Sequence, residues 1–173
     1  MKKQKKRGPN DYKKRGEWAE LKFLSEAAAR NLPTSKPYGD SENFDVVVGR
    51  PGKFVGVQVK STSCKQSHGY HCNMATHHHL TYAAGAFDFV AAYIIPEDIW
   101  YIIPANVIHG KATILLHPNF PAARYEPYRE AWELLREAVG ADEEPGLPES
   151  APPSRMETRM MGAFDFVRRH WER

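Results

Sequence analysis

The sequence predicts one domain of the α/β class, in its α+β form, and three observations predict it. Trp18, Leu21, Leu24 and Ala28 recur at helical spacing ahead of Pro33, the mark of an amphipathic helix. Residues 44–48 and 53–60 are valine-rich runs on either side of Gly49-Arg50-Pro51-Gly52, which reads as a hairpin. Residues 89–95 and 99–103 form a second pair of apolar runs around Pro96-Glu97-Asp98. A length of 173 residues suits one domain, and a hydrophobic content of 42% is enough to build a core.

In chain order, residues 1–13 are a basic, flexible arm with Gly8, Pro9 and almost no apolar groups, too polar to pack. The helix begins between Lys14 and Gly16 and runs to about Arg30. Residues 31–43 are loop, punctuated by Pro33, Pro37 and Gly39. After the hairpin, residues 61–79 are polar and histidine-rich, with a further strand within 69–75, and 80–87 reads as a short helix. A short helix or loop over 104–108 and a strand over 111–116 follow the second strand pair. Tyr128, Trp132, Leu135 and Val139 share a stripe, predicting a helix over 125–139. The prolines and glycines of 140–154 mark a linker, and 155–173 is a closing helix or tail. Gly85-Ala86-Phe87-Asp88-Phe89-Val90 returns as Gly162-Ala163-Phe164-Asp165-Phe166-Val167, but two copies do not make a repeat array.

The net charge of +3 hides an asymmetry. Residues 1–15 hold eight basic residues against Asp11, a charge of +7 that leaves −4 for the remaining chain. A basic arm on a mildly acidic body attracts phosphates, hence nucleic acid; the plainer reading is a solubilising tail. No apolar stretch approaches 18 residues, so no membrane partner is expected, and no apolar stretch follows the basic N-terminus as it would in a secretory signal. Cys64 and Cys72 are too few for a disulfide framework, which points to the reducing cytoplasm.

The chemistry lies on the hairpin. Side chains alternate across a strand, so Gln58 and Lys60 share a face. With Val48 across from Lys53, Asp45 sits opposite Gly56, on that same face and diagonal to Gln58. Such neighbours lie roughly 7–8 Å apart, which admits a hydrated divalent cation with Mg–oxygen distances of about 2.0–2.1 Å, and the bare Gly56 leaves it space. Carboxylate and amide oxygens suit a hard cation. Such an ion activates water and screens phosphate charge, and a lysine beside it stabilises an anionic transition state. Taken alone, the same residues also fit a loop end and a solvated face. The preceding helix adds acid: on its wheel Glu17 falls near the centre of the apolar stripe and Glu20 near the edge. A carboxylate beside a buried face needs a partner, although the helix dipole alone would favour an acid at that end.

A helix bearing Lys14-Arg15-Gly16-Glu17-Trp18-Ala19-Glu20-Leu21, then Pro37-Tyr38-Gly39-Asp40 ahead of Phe44-Asp45, then Gln58-Val59-Lys60 resembles the PD-(D/E)XK nucleases. Glutamine in place of the usual acid is similar to the group I intron-associated homing endonucleases of bacteria within that superfamily, as are Trp100-Tyr101-Ile102-Ile103-Pro104 and Tyr125-Glu126-Pro127-Tyr128-Arg129-Glu130-Ala131-Trp132. The resemblance implies a restriction-endonuclease-like core over residues 14–139, a central mixed β-sheet flanked by helices. It implies a metal-dependent DNA endonuclease in which Asp45, Gln58, the Val59 carbonyl and a helix glutamate hold Mg²⁺ or Mn²⁺ and Lys60 is the catalytic lysine. Family spacing favours Glu20 for that glutamate, whereas the wheel leans to Glu17. An amide carries no charge, so a glutamine site should hold the ion less tightly than an acid.

Lys13, Lys14, Arg15, Ser61, Thr62 and Lys65 are placed to contact DNA phosphates. Tyr93, Trp100, Tyr101 and Trp132 read as core aromatics. Cys64, His68, His71, Cys72 and His77-His78-His79 form a dense cluster, but the Cys64 to Cys72 spacing matches no standard zinc knuckle. The competing readings are a catalytically inactive DNA-binding protein of the same fold and a zinc-stabilised interaction module. Cutting both DNA strands is simplest with two active sites, so a homo-oligomer, dimer or tetramer, is expected.

Overall fold

The computed structural model describes residues 12–39, 42–75 and 81–141. The chain divides into Met1–Asp142 and Glu143–Arg173. The second unit, with the expected closing helix and the second copy of the Gly-Ala-Phe-Asp-Phe-Val run, lies outside the described residues, as do His77, His78 and His79.

Helix α1 spans Tyr12–Ala29, so it takes in the last residues of the expected arm. Its buried residues are Ala19, Phe23 and Ala27, not the predicted stripe. Leu21 is 63% exposed and Glu17 is exposed. The helix is rotated relative to its most hydrophobic face because small residues let its backbone lie close on the valines of the sheet, with Phe23 filling the remaining gap.

Strand β1 (Thr34–Ser35), β2 (Val46–Arg50), β3 (Lys53–Thr62), β6 (Phe89–Ile94) and β7 (Ile99–Pro104) form one sheet in the order β1-β2-β3-β6-β7. The β3–β6 pair is parallel and the others are antiparallel, so the sheet is mixed. Parallel pairing demands a long crossover. Here the crossover carries β4 (Lys65–Gln66) and β5 (Gly69–Asn73), which with β8 (Thr113–Leu116) form a second, three-stranded sheet. The short helix expected over 80–87 is absent from the described part of that segment, which is turn and coil.

The two faces of the main sheet carry separate cores, as alternation along a strand requires. Val46, Val48, Val57, Val59, Tyr93 and Trp100 pack with Phe23, Trp132 and Leu135 on the face covered by α1 and by α3 (Glu133–Ala138). On the other face Val90, Ala92, Ile94, Tyr101 and Ile103 pack with Tyr70, Cys72, Ile114 and Leu116 of the smaller sheet. Tyr93 stacks on Trp100 at 4.5 Å, and Phe23 lies 5.6 Å from Trp100 and 5.5 Å from Trp132, so these aromatics are core residues as their composition suggests. Helix α2 (Ala105–Ile108) follows β7 directly.

The helix predicted over 125–139 is broken. A 3-10 turn at Glu126–Tyr128 precedes α3, and between them Glu130 adopts φ +50°. Tertiary hydrogen bonds outweigh helical propensity here. The Glu130 N–H donates to the Trp100 carbonyl at 2.8 Å, while its carboxylate accepts from the Trp100 N–H at 2.7 Å and from the Trp132 indole at 2.8 Å.

The hairpin register also differs. Arg50 pairs with Lys53 and Val47 with Gly56, so the turn is Pro51-Gly52 rather than four residues. Gly49, at φ +131°, stays inside the ladder, where a Cβ would meet the Lys53 carbonyl oxygen at 2.1 Å. The shift is two residues, an even number, so every side chain keeps its predicted face.

Phe23 should dominate the helix contact. Phe23→Ala is expected to lower stability by about 3–5 kcal/mol, whereas Leu21→Ala should stay within about 0.5 kcal/mol. Urea denaturation of the two variants checks this, and equal losses would contradict the observed rotation of α1.

Candidate metal and catalytic site

Asp45 is the last residue before β2, and its N–H donates to the Val57 carbonyl at 3.0 Å. The next step of the β2–β3 register places it across from Gln58, not diagonal to it. Its carboxylate accepts the Val59 N–H at 2.8 Å and a short hydrogen bond from the Gln58 amide. Gln58 is 7% exposed, and its amide nitrogen also lies 3.4 Å from the Val59 carbonyl. Gly56 does not leave room for an ion: a Cβ there would meet the Phe44 ring at 3.1 Å. The glycine makes way for the Phe44 ring, which packs against the second core.

Burial sets the electrostatics. Desolvation, the largest effect, together with the nearby Glu20 charge pushes the Asp45 carboxyl up to about 6, against the pull of the Val59 N–H, Lys60 and Lys36. An ionised Asp45 here has lost hydration that the Val59 N–H, Lys60 and Lys36 only partly offset. Of the two helix glutamates, Glu20 lies close enough to Asp45 to act on it through space, while Glu17 is exposed. The Glu20 carboxylate is held by the Lys36 ammonium at 2.6 Å. Glu20 and Asp45 therefore flank the site, Asp45 and Gln58 in direct contact and Glu20 engaged with a lysine.

Lys60, on the same face of β3 as Gln58, puts its ammonium 3.0 Å from the Tyr82 hydroxyl and 3.5 Å from the Ala75 carbonyl. Neither hydrogen-bond partner is charged, and the carboxylate that acts on the Lys60 ammonium through space is Asp45. Sequence reasoning missed Tyr82 and Lys36. Tyr82 sits in coil 22 residues from Lys60, with no spacing signal, and Lys36 precedes a proline in a segment that reads only as loop.

The residues expected to meet phosphates are spread around this centre. Lys13 and Lys14 lie exposed on the first turn of α1. Arg15 packs over the Tyr12 ring at 4.6 Å and, with Ser61, Ser63, His71 and Asn73, lines a polar cavity of about 250 Å³. Thr62 departs from expectation. It is 4% exposed, and its hydroxyl donates to the His71 carbonyl at 2.7 Å and accepts from the Cys64 N–H at 3.0 Å, which makes it a brace between strands. Lys65 is exposed, 5.7 Å from the Tyr70 ring centre.

The donor set fits a hard divalent cation: a partly buried, desolvated carboxylate, an amide, a backbone carbonyl and a second carboxylate. Among the described residues no three His, Cys, Asp or Glu side chains gather to hold an ion, so an ion here would need the amide and carbonyl oxygens as well. The described members of the cysteine and histidine cluster do not gather at one point: Cys72 is fully buried in the second core and Cys64 is exposed. Among the described residues no helix is long and apolar enough to cross a membrane.

The Asp45 shift has a stability consequence. The folded carboxyl, near 6, holds its proton more tightly than the unfolded one at 3.8. Its stabilising contribution is therefore full below about pH 3.8 and is lost as pH rises through 6. In EDTA, Asp45→Asn should be more stable than wild type at pH 8 by about 1–3 kcal/mol, with the gap closing below pH 4. Denaturant midpoints across that range measure it, and a pH-independent gap would contradict the burial account.

The PD-(D/E)XK endonuclease family model matches residues 10–134, most of the chain and the whole of the site. No curated protein matches it. Among solved structures, the bacterial homing endonuclease I-Ssp6803I superposes with a TM-score of 0.68 at 26% identity, over 78% of this chain and 99% of that one. Helix, hairpin, Asp45 and the Gln58-Val59-Lys60 strand all fall within the matched span, and the chain belongs to the PD-(D/E)XK endonuclease family.

Proposed function

We propose that this chain is a divalent-metal-dependent DNA endonuclease of the homing type, built on residues 14–139 with a basic arm over 1–13, a linker over 140–154 and a C-terminal helix or tail. The observation that carries this reading is the contact of the partly buried Asp45 carboxylate with the Gln58 amide and the Val59 N–H, two residues from a lysine whose hydrogen-bond partners are neutral. Asp45, Gln58, the Val59 carbonyl and Glu20 would hold Mg²⁺ or Mn²⁺. A bound divalent ion supplies an activated water and charge stabilisation at the phosphate. Lys60, held by Tyr82, orients the attacking water and stabilises the charge that grows on the scissile phosphate. Lys13, Lys14, Arg15, Ser61 and Lys65 contact flanking phosphates, and Thr62 keeps the Ser61–Cys64 segment in place. A dimer or tetramer in the cytoplasm completes the reading, since two sites cut two strands.

Supercoiled plasmid with Mg²⁺ or EDTA tests it. Wild type should nick only with the metal. Lys60→Ala should lose about 10²-fold or more in rate, the scale of removing a preorganised charge. Wild type that is silent at every metal concentration, or an unaffected Lys60→Ala, would overturn the reading in favour of an inactive DNA-binding protein. Gln58→Glu should lower the Mg²⁺ concentration for half-maximal nicking, because a second charge beside Asp45 strengthens the ion's attraction. The same variant should be less stable than wild type in EDTA, where two buried carboxylates face each other.

A further inference from the structure

Lys36 is the one feature of the site that neither hydrolysis nor packing explains. It follows β1 at the edge of the main sheet, and β1 pairs with β2 through Thr34–Val48 and Ser35–Val47, which brings Lys36 alongside the start of β2 next to Asp45. Its ammonium is 2.6 Å from the Glu20 carboxylate, and the charges of Asp45 and Glu17 also act on it. Half of the Lys36 side chain is exposed, against 17% of Glu20. The lysine can therefore swing into solvent without opening the core, whereas the carboxylate stays. A half-exposed ion pair of this kind is weak, and a divalent ion that takes a Glu20 oxygen must compete with it.

We propose that Lys36 is the resident counter-ion of the metal site: its ammonium neutralises Glu20 until a divalent cation displaces it, and the freed ammonium then binds the substrate phosphate beside the metal. This rests on the proposed metal-dependent reading of the Asp45 site. Lys36 couples metal loading to DNA binding in two ways. It raises the metal concentration needed to fill the site, and it moves a positive charge from the protein's own carboxylate to the nucleic acid only after the site is filled.

Calorimetric titration of the full chain with Mn²⁺, without DNA, tests the competition. Lys36→Met should bind Mn²⁺ about three- to tenfold more tightly than wild type, since a competing hydrogen bond and a nearby positive charge are both gone. Lys36→Arg, which keeps charge and reach, should stay within about twofold. An unchanged or weaker affinity in Lys36→Met overturns the proposal and makes Lys36 a surface partner or a prop for Glu20. Fluorescence anisotropy with a short DNA duplex tests the transfer. In EDTA wild type and Lys36→Met should bind alike. With Ca²⁺ in place of Mn²⁺, Lys36→Met should fall behind wild type by about three- to tenfold, and equal binding there overturns the transfer. Failure of the underlying reading looks different: wild type itself would take no Mn²⁺ and would match Asp45→Ala.

Discussion

The site depends on one partly buried carboxylate. Asp45 stands where β2 begins, and one of its oxygens, Oδ2, receives both the Val59 N–H and the Gln58 amide across the strand pair. Those two contacts tie the end of β2 to the middle of β3, and Lys60 follows from the same strand at the next position on that face. Removing a buried hydrogen-bonded group without its partners costs more than the bond is worth. The geometry of Gln58 and Lys60 is therefore coupled to Asp45 whether or not a metal is bound. The elevated Asp45 proton affinity is the other side of this arrangement: a pocket that strips water from a carboxylate makes its bare charge costly.

Much of this was legible in the sequence, for a geometric reason. Strand alternation has period two, so a hairpin whose register slips by two residues still presents Asp45, Gln58 and Lys60 together. What was lost was the pairing itself: Asp45 faces Gln58 directly, and Gly56 serves the Phe44 ring. Helix phase has no such protection. Hydrophobicity favoured Leu21, yet a helix pressed onto a valine surface buries alanines, and Ala19 and Ala27 carry no strong apolar signal. That rotation is what exposes Glu17 and brings Glu20 to the site.

Contacts made by loops and by distant segments were not legible. Tyr82 reaches Lys60 across the crossover between the parallel strands, and Lys36 reaches Glu20 over 16 positions; neither has a periodicity to betray it. The break at Glu130 belongs to the same class. Residues 125–139 hold a helical stripe, and three of its members, Trp132, Leu135 and Val139, are buried as a helix would have them. The backbone nevertheless departs from helix because Trp100 offers both a donor and an acceptor to one residue.

That departure has a consequence for assembly. β7 is the last strand of the sheet, and an open strand edge invites another chain to pair with it. Glu130 occupies the Trp100 backbone on both its N–H and its carbonyl, and Arg129 bridges Tyr101. A second copy could extend the sheet at this point only by stripping away those bonds. At the opposite edge, β1 is two residues long, too short to template a strand. Among the described residues, both edges of the main sheet are therefore poor templates for a further strand, and the β2–β3 hairpin that carries Asp45 sits inside the sheet, away from either edge.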